Sequence, residues 1–169
     1  MRWKMFKVLF VCTGNSCRSP MAEGILKKFL RKRGVGRIVV ESAGTGAPVG
    51  IPPTSYALLT LVENGIDISR HRSRSLTKEL VEEADLILVM EKAHQRFVED
   101  LLPSAKGKVF LLKEYGPEGR TEEVQDPIGR DLEFYRRCYE ELEEEIRRTL
   151  PRIIGSNRTD KMGFDSEKG

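Results

Sequence analysis

The chain of 169 residues is 39% hydrophobic and 33% charged with a net charge of +3, which suits one compact domain with a sizeable core and gives nucleic-acid binding no compositional support. No apolar stretch approaches the roughly 20 residues that span a bilayer, and the opening Met1-Arg2-Trp3-Lys4-Met5-Phe6-Lys7 lacks a long apolar signal core with its cleavage site. Three cysteines are too few, and odd in number, for a disulfide scaffold, so a reducing cytoplasm is the expected setting.

Val8-Leu9-Phe10-Val11 is short, apolar and partly β-branched, and reads as a strand buried on both faces. A loop follows. Pro20 suits the first turn of a helix, along which Met21, Ala22, Ile25, Leu26, Phe29 and Leu30 recur at helical spacing until Gly34 stops it. Ile38-Val39-Val40 predicts a second strand that leads into Ser42-Ala43-Gly44-Thr45-Gly46. Pro52-Pro53 opens a helix expected to reach Asn64 and to end at Gly65. Residues 84–90 form the third predicted strand, a helix covers residues 93–101, and residues 108–112 make the fourth strand. A loop through Pro117, Gly119 and Pro127 precedes a last helix expected over residues 130–150. Residues 155–169 are polar and aperiodic, and are expected to be a flexible tail on a single domain of residues 1–154. Strands alternating with helices imply an α/β fold, a parallel sheet with helices on both faces. Ligands gather at the carboxyl ends of strands in such sheets.

The loop at the end of the first strand is Cys12-Thr13-Gly14-Asn15-Ser16-Cys17-Arg18-Ser19. It sets a thiol and a guanidinium at its two ends, a spacing that suits wrapping a tetrahedral oxyanion and attacking it with sulfur. Successive backbone N–H groups from Thr13 to Arg18 make an anion-binding nest, and the helix opening near Pro20 adds its positive end. Both lower the pKa of a thiol, so Cys12 is expected to be a thiolate nucleophile near neutral pH. Arg18 can grip two phosphate oxygens with its planar fork. Gly14 permits a backbone geometry that a β-carbon would hinder, and Asn15 can fix the loop by side-chain to backbone hydrogen bonds. Ser19 has two readings: a cap for the helix, or a hydroxyl donating to the thiolate, with its closeness to Cys12 favouring the second.

Val11-Cys12-Thr13-Gly14-Asn15-Ser16-Cys17-Arg18-Ser19-Pro20-Met21-Ala22-Glu23 closely resembles the signature of the low-molecular-weight protein tyrosine phosphatase family. The resemblance continues in Ser42-Ala43-Gly44, Gly65-Ile66-Asp67 with His71 following, residues 84–90, and Asp126-Pro127. It implies a four-stranded parallel sheet flanked by helices and a two-step mechanism through a phosphocysteine, with no metal and no cofactor. Carried over by position, Cys12 is the nucleophile, Arg18 the phosphate clamp and Ser19 the residue that stabilises the thiolate. Asp126 resembles the general acid that then activates water, and Asn15, Ser42 and His71 resemble the network that shapes the phosphate loop. Phosphorylated proteins are the implied partners of a monomer.

Pocket walls decide which phosphorylated group is cleaved. Family members acting on phosphotyrosine often carry a bulky aliphatic residue where Ser16 stands and aromatic residues after the Asp-Pro. Here Ser16 is small and polar, and Asp126-Pro127-Ile128-Gly129 has no tyrosine pair. The bacterial protein-arginine phosphatase branch is more similar, although it usually has threonine at the position of Ser16 and an aromatic at that of Ile128. Phosphoarginine is therefore the favoured substrate and phosphotyrosine the alternative, with Ser16 and Ile128 setting specificity.

Cys17 reads either as a small buried filler of the loop or, as the resemblance implies, as a redox partner that protects Cys12 in a reversible disulfide. Cys138 falls on the apolar stripe Leu132, Tyr135, Cys138, Leu142 and Ile146, and is expected to pack. His94 is expected at the surface, and the cluster Arg70, Arg72 and Arg74 in solvent. Thioredoxin-coupled arsenate reductases use a similar loop but need cysteines that are missing between Cys17 and Cys138. A phosphoprotein-binding module that captures without turnover would need neither a nucleophile nor an acid.

Overall fold

The backbone of residues 4–162 is described in the computed structural model, with side chains as far as Asn157. Trp3, which the sequence leaves either on the sheet edge or loose, lies outside the described residues. Four strands, β1 (Phe6–Cys12), β2 (Ile38–Gly44), β3 (Leu86–Val89) and β4 (Val109–Leu111), form one sheet in the order β2-β1-β3-β4. Every pairing is parallel, with Phe6 opposite Ile38, Val8 opposite Leu86 and Ile87 opposite Val109. The expected four-stranded parallel sheet is therefore the fold. β1 is central, and the chain crosses from β2 on one side of it to β3 on the other. The strand order reverses at β1, and a crevice opens at such a reversal outside the strand ends.

Strand alternation divides the core. Val8, Phe10 and Cys12 face one layer, while Leu9 and Val11 face the other. The first layer holds α1 (Arg18–Lys32), α2 (Ser55–Glu63) and α5 (Leu132–Met162); the second holds α3 (Lys78–Glu83) and α4 (Lys92–Leu101). Each fully buried Leu, Ile or Phe here contributes roughly 1.5–3 kcal/mol. Cys12 therefore ends on the face covered by α1 and α5.

The helix boundaries differ from the sequence expectation in ways with local causes. α1 begins at Arg18, so the arginine that ends the loop after β1 is itself its first residue. Gly34, at φ +63, ends it by donating its N–H to the Arg31 carbonyl, while Val35 donates to that of Leu30. α2 starts only after Thr54, whose hydroxyl accepts from the Ala57 N–H, rather than at the prolines. α3 was not expected at all: Thr77 caps it, Val81 is its buried anchor, and six residues are too few to display a period. A 3-10 turn, Pro103–Lys108, also escaped the pattern.

α5 runs past the expected end at residue 150, and Pro151 lies inside it. The reason is that its apolar stripe continues: Tyr135, Cys138, Leu142, Ile146, Leu150 and Ile153 are all buried. Asn157 donates from Nδ2 to the Gly36 carbonyl at 3.4 Å, fastening the helix beyond the proline. Residues 155–162 of the expected tail are thus helical, and residues 163–169 lie outside the described residues.

Candidate active site

The loop between β1 and α1 wraps the sulfur of Cys12. Cys12 Sγ lies 2.9 Å from Ser19 Oγ, and both residues are buried. Asn15 Nδ2 donates to the same Ser19 oxygen at 2.8 Å and to Ser42 Oγ at 3.0 Å. With its oxygen accepting from Asn15, the Ser19 O–H is left to donate to sulfur. This geometry fits the second of the two readings of Ser19, and the helix has no side-chain cap bond from Cys17, its N-cap residue.

Asn15 is the keystone of the turn. It has φ 51, a left-handed conformation that asparagine tolerates better than most residues. Its Oδ1 accepts the Arg74 N–H at 3.0 Å, and its carbonyl accepts from His71 Nε2 at 2.8 Å. The predicted set Asn15, Ser19, Ser42 and His71 is thereby brought together. Arg74 also donates from Nε to the Ser42 carbonyl and pairs with Glu41, so the basic cluster is not simply solvated. Gly44 lets the end of β2 come close: a β-carbon there would run into the Thr13 carbonyl, the Ala47 side chain and the Asn15 nitrogen.

Arg18 is 1% exposed, among the largest fully buried side chains. Its Nη1 donates to Glu91 Oε1 at 2.5 Å and to the Val124 carbonyl at 2.7 Å, and its Nη2 lies 3.5 Å from Asp126 Oδ2. The remaining Nε–H is buried and has no acceptor among the described residues. Asp126 is 38% exposed, and its Oδ1 accepts the Ile128 N–H at 3.1 Å. Cys12, Gly14, Ser16, Cys17, Arg18, Asp126 and Ile128 line a slot of about 20 Å³, room for one or two waters.

Two effects oppose each other at the sulfur. Burial pushes the Cys12 thiol up; the Ser19 hydroxyl, the Arg18 charge and the backbone N–H groups of Ser19 and Asn15 pull it down. Burial outweighs the rest, so in the closed slot the thiol is raised rather than lowered as the loop alone led one to expect. Cys17 is buried behind the loop, its sulfur 3.4 Å from Tyr135 Oη and 3.5 Å from Thr54 Oγ1. Cys12, Cys17 and Cys138 are all free thiols.

Glu91 escaped the sequence reading, and His94 was placed wrongly by it. Glu91, which holds Arg18, gives no local signal except that it follows a strand end. His94 is not at the surface: it is 2% exposed, and its Nε2 lies 2.8 Å from Thr13 Oγ1. The spacing Glu91-x-x-His94 at the start of α4 is that of reciprocal helix capping, which was the available clue. Among the described residues, no group of three or more His, Cys, Asp or Glu side chains is placed to hold a metal ion. No helix among them is long and apolar enough to cross a membrane.

The chain is similar in sequence and fold to known proteins. The low molecular weight phosphotyrosine protein phosphatase family matches residues 7–159. A protein-arginine-phosphatase of Bacillus subtilis (strain 168) is 40% identical, across 89% of this chain and 99% of that protein. The solved structure of the YwlE arginine phosphatase, a mutant with a phosphorylated active site serine, superposes with a TM-score of 0.84 at 37% identity, covering 92% of this chain and 99% of that one. The low molecular weight protein tyrosine phosphatase of T. tengcongensis superposes with a TM-score of 0.82 at 42% identity, covering 87% and 99%.

Proposed function

The chain belongs to the low molecular weight phosphotyrosine protein phosphatase family and is an enzyme of that kind, and we propose that it hydrolyses phosphoarginine side chains of proteins through a phosphocysteine. The observation that carries the substrate is the wall of the slot. Ser16 and Ile128 stand there, and no aromatic ring lines it among the described residues. A phenyl phosphate has nothing flat to stack on, whereas the Ser16 hydroxyl can accept from a guanidinium N–H. The B. subtilis relative, named a protein-arginine-phosphatase, supports the same reading.

On this reading Cys12 Sγ attacks phosphorus in line with the P–N bond. That bond breaks toward nitrogen, which takes the proton of Asp126 as the guanidine leaves. The loop N–H groups and Arg18 hold the equatorial oxygens, one of which gives the buried Nε–H its acceptor. Asp126, now a carboxylate, takes a proton from water, whose oxygen attacks the phosphocysteine. The S–P bond breaks, sulfur leaves as a thiolate received by the Ser19 O–H, and inorganic phosphate departs. The relative with a phosphorylated active site serine supports this covalent route. Asn15, Ser42 and His71 hold the loop in shape, and Cys17 is the candidate redox partner. The enzyme works as a monomer in the cytoplasm on phosphorylated proteins, without a metal or cofactor.

Phosphotyrosine is the second reading, because the T. tengcongensis relative is a tyrosine phosphatase at 42% identity. The test is kcat/KM on matched phosphoarginine and phosphotyrosine peptides, with Cys12→Ser as the blank. A preference for phosphoarginine is expected. The opposite preference would overturn the substrate and keep the mechanism, and tight phosphate binding without turnover would point to a binding module.

A further inference from the structure

We propose that His94 is a positioning residue: it ties Thr13, the residue after the nucleophile, to the helix cap that holds Arg18, and thereby fixes both ends of the phosphate loop from one point. The proposal rests on the reading of that loop as the phosphate site.

The hydrogen bonds assign the tautomer. The Glu91 N–H donates to His94 Nδ1 at 3.1 Å, so Nδ1 is an acceptor and the ring proton sits on Nε2. Nε2 then donates to Thr13 Oγ1 at 2.8 Å. In return, the His94 N–H donates to the Glu91 carbonyl at 3.0 Å. Glu91 sends its carboxylate to Arg18 Nη1. The junction between β3 and α4 therefore reaches the beginning of the loop through an imidazole and the end of it through a carboxylate. Thr13 is held from its other side as well, since its carbonyl accepts the Gly46 N–H at 3.0 Å. With its main chain and its side chain both anchored, Thr13 cannot rotate, and the aim of the neighbouring sulfur is set. The cap needs a neutral ring, whose Nδ1 accepts from Glu91 while Nε2–H donates to Thr13; an imidazolium would keep the bond to Thr13 but turn an N–H toward the Glu91 N–H and break the cap.

Two replacements separate the two nitrogens. In His94→Asn, the amide oxygen falls where Nδ1 accepts from Glu91, but the side chain stops short of Thr13. In His94→Gln, the terminal amide reaches the place of Nε2, and the cap is lost. We expect His94→Asn and Thr13→Val each to lower kcat by a similar factor, about five to ten, for one lost buried hydrogen bond. KM should stay within about twofold, and the double variant should be no slower than either single one. His94→Gln and Thr13→Ser should keep most of kcat, with His94→Gln showing the lower melting temperature of the two His94 variants. Equal losses of kcat in His94→Asn and His94→Gln, multiplying losses in the double variant, or changes in melting temperature alone would each overturn the proposal. If the wild type turns over neither peptide, the functional reading fails by itself. The affinity for inorganic phosphate then becomes the readout: the same ranking of variants supports the positioning role, and a flat ranking overturns it.

Discussion

Asn15→Ala removes three hydrogen bonds at once and leaves a β-carbon in left-handed backbone. The bonds lost are those to Ser19 Oγ and Ser42 Oγ and from the Arg74 N–H. Asn15 is 0% exposed, so water does not replace them without rearrangement. At about 1 kcal/mol net for each bond, the loss is roughly 3 kcal/mol. Alanine held at φ 51 adds about 1 kcal/mol more. The sum, roughly 4 kcal/mol, lowers the melting temperature of a domain this size by about 8–16 °C. Asn15→Gly loses the same bonds without the strain, although its looser unfolded chain offsets about half of that advantage. Urea denaturation followed by circular dichroism measures both variants. Glycine should be the more stable by about 0.5 kcal/mol, and both should turn over slowly because Ser19 has lost the donor that orients it. A loss below about 1 kcal/mol in Asn15→Ala, or alanine more stable than glycine, would refute the reasoning.

Three further outcomes are expected. Ser19→Ala removes the hydroxyl that meets the sulfur, a charge-assisted bond when the thiolate forms, and should lower kcat by about 10- to 100-fold with little change in KM; an unchanged kcat refutes its role. Asp126→Asn should lower kcat by about 10²- to 10⁴-fold on peptides, and by much less on an activated aryl phosphate whose leaving group needs no proton, as steady-state kinetics will show. His94 supplies a dependence on pH: burial holds its imidazole below the ordinary value, Arg18 adds to the lowering, and Glu91, Asp126 and Glu123 oppose it. The unfolded chain therefore binds the extra proton first, so the stability due to neutral His94 is full above the ordinary imidazole pKa and is lost as pH falls through the folded value. Denaturation of wild type and His94→Gln should give a stability gap that narrows from about pH 7.5 to about pH 5; a constant gap counts against a neutral, buried ring.

What the sequence made legible was local or periodic. The four strands announced themselves by apolar runs. The proposed nucleophile and clamp and the loop residues between them lie within eight consecutive positions, Cys12 to Ser19. Ser42, His71 and Asp126 needed the family resemblance, because no spacing joins them to that loop; the sheet brings Ser42 in by laying the end of β2 beside β1, and His71 and Asp126 arrive on loops that close over Asn15 and Arg18. Glu91 and the Val124 carbonyl were invisible for the same reason, since their contact with Arg18 exists only once β3 lies beside β1. His94 was misread because an isolated histidine near a helix start is usually exposed, and its partner Thr13 is 81 residues away. The end of α5 was placed too early: Pro151 follows the expected end and disfavours continuation locally, but Ile153 is buried two residues later and the helix carries on.

The two wall residues support the fold mainly through their main chains; the Ser16 hydroxyl adds only a long contact of 3.8 Å to the sulfur of its neighbour Cys17. The Ser16 carbonyl accepts the Thr54 N–H, and the Ile128 N–H donates to Asp126, bonds that any residue but proline makes at position 128. Ile128 is also 58% exposed, and replacements at such sites usually shift stability by less than about 0.5 kcal/mol. Cys12, Arg18 and Ser19, in contrast, sit in a buried lattice where each change disturbs several neighbours. On the proposed reading of these two positions, substrate preference is therefore free to drift over generations while the reaction stays fixed, without passing through unstable ancestors. A library confined to positions 16 and 128 is where laboratory selection for a new phosphorylated side chain would begin.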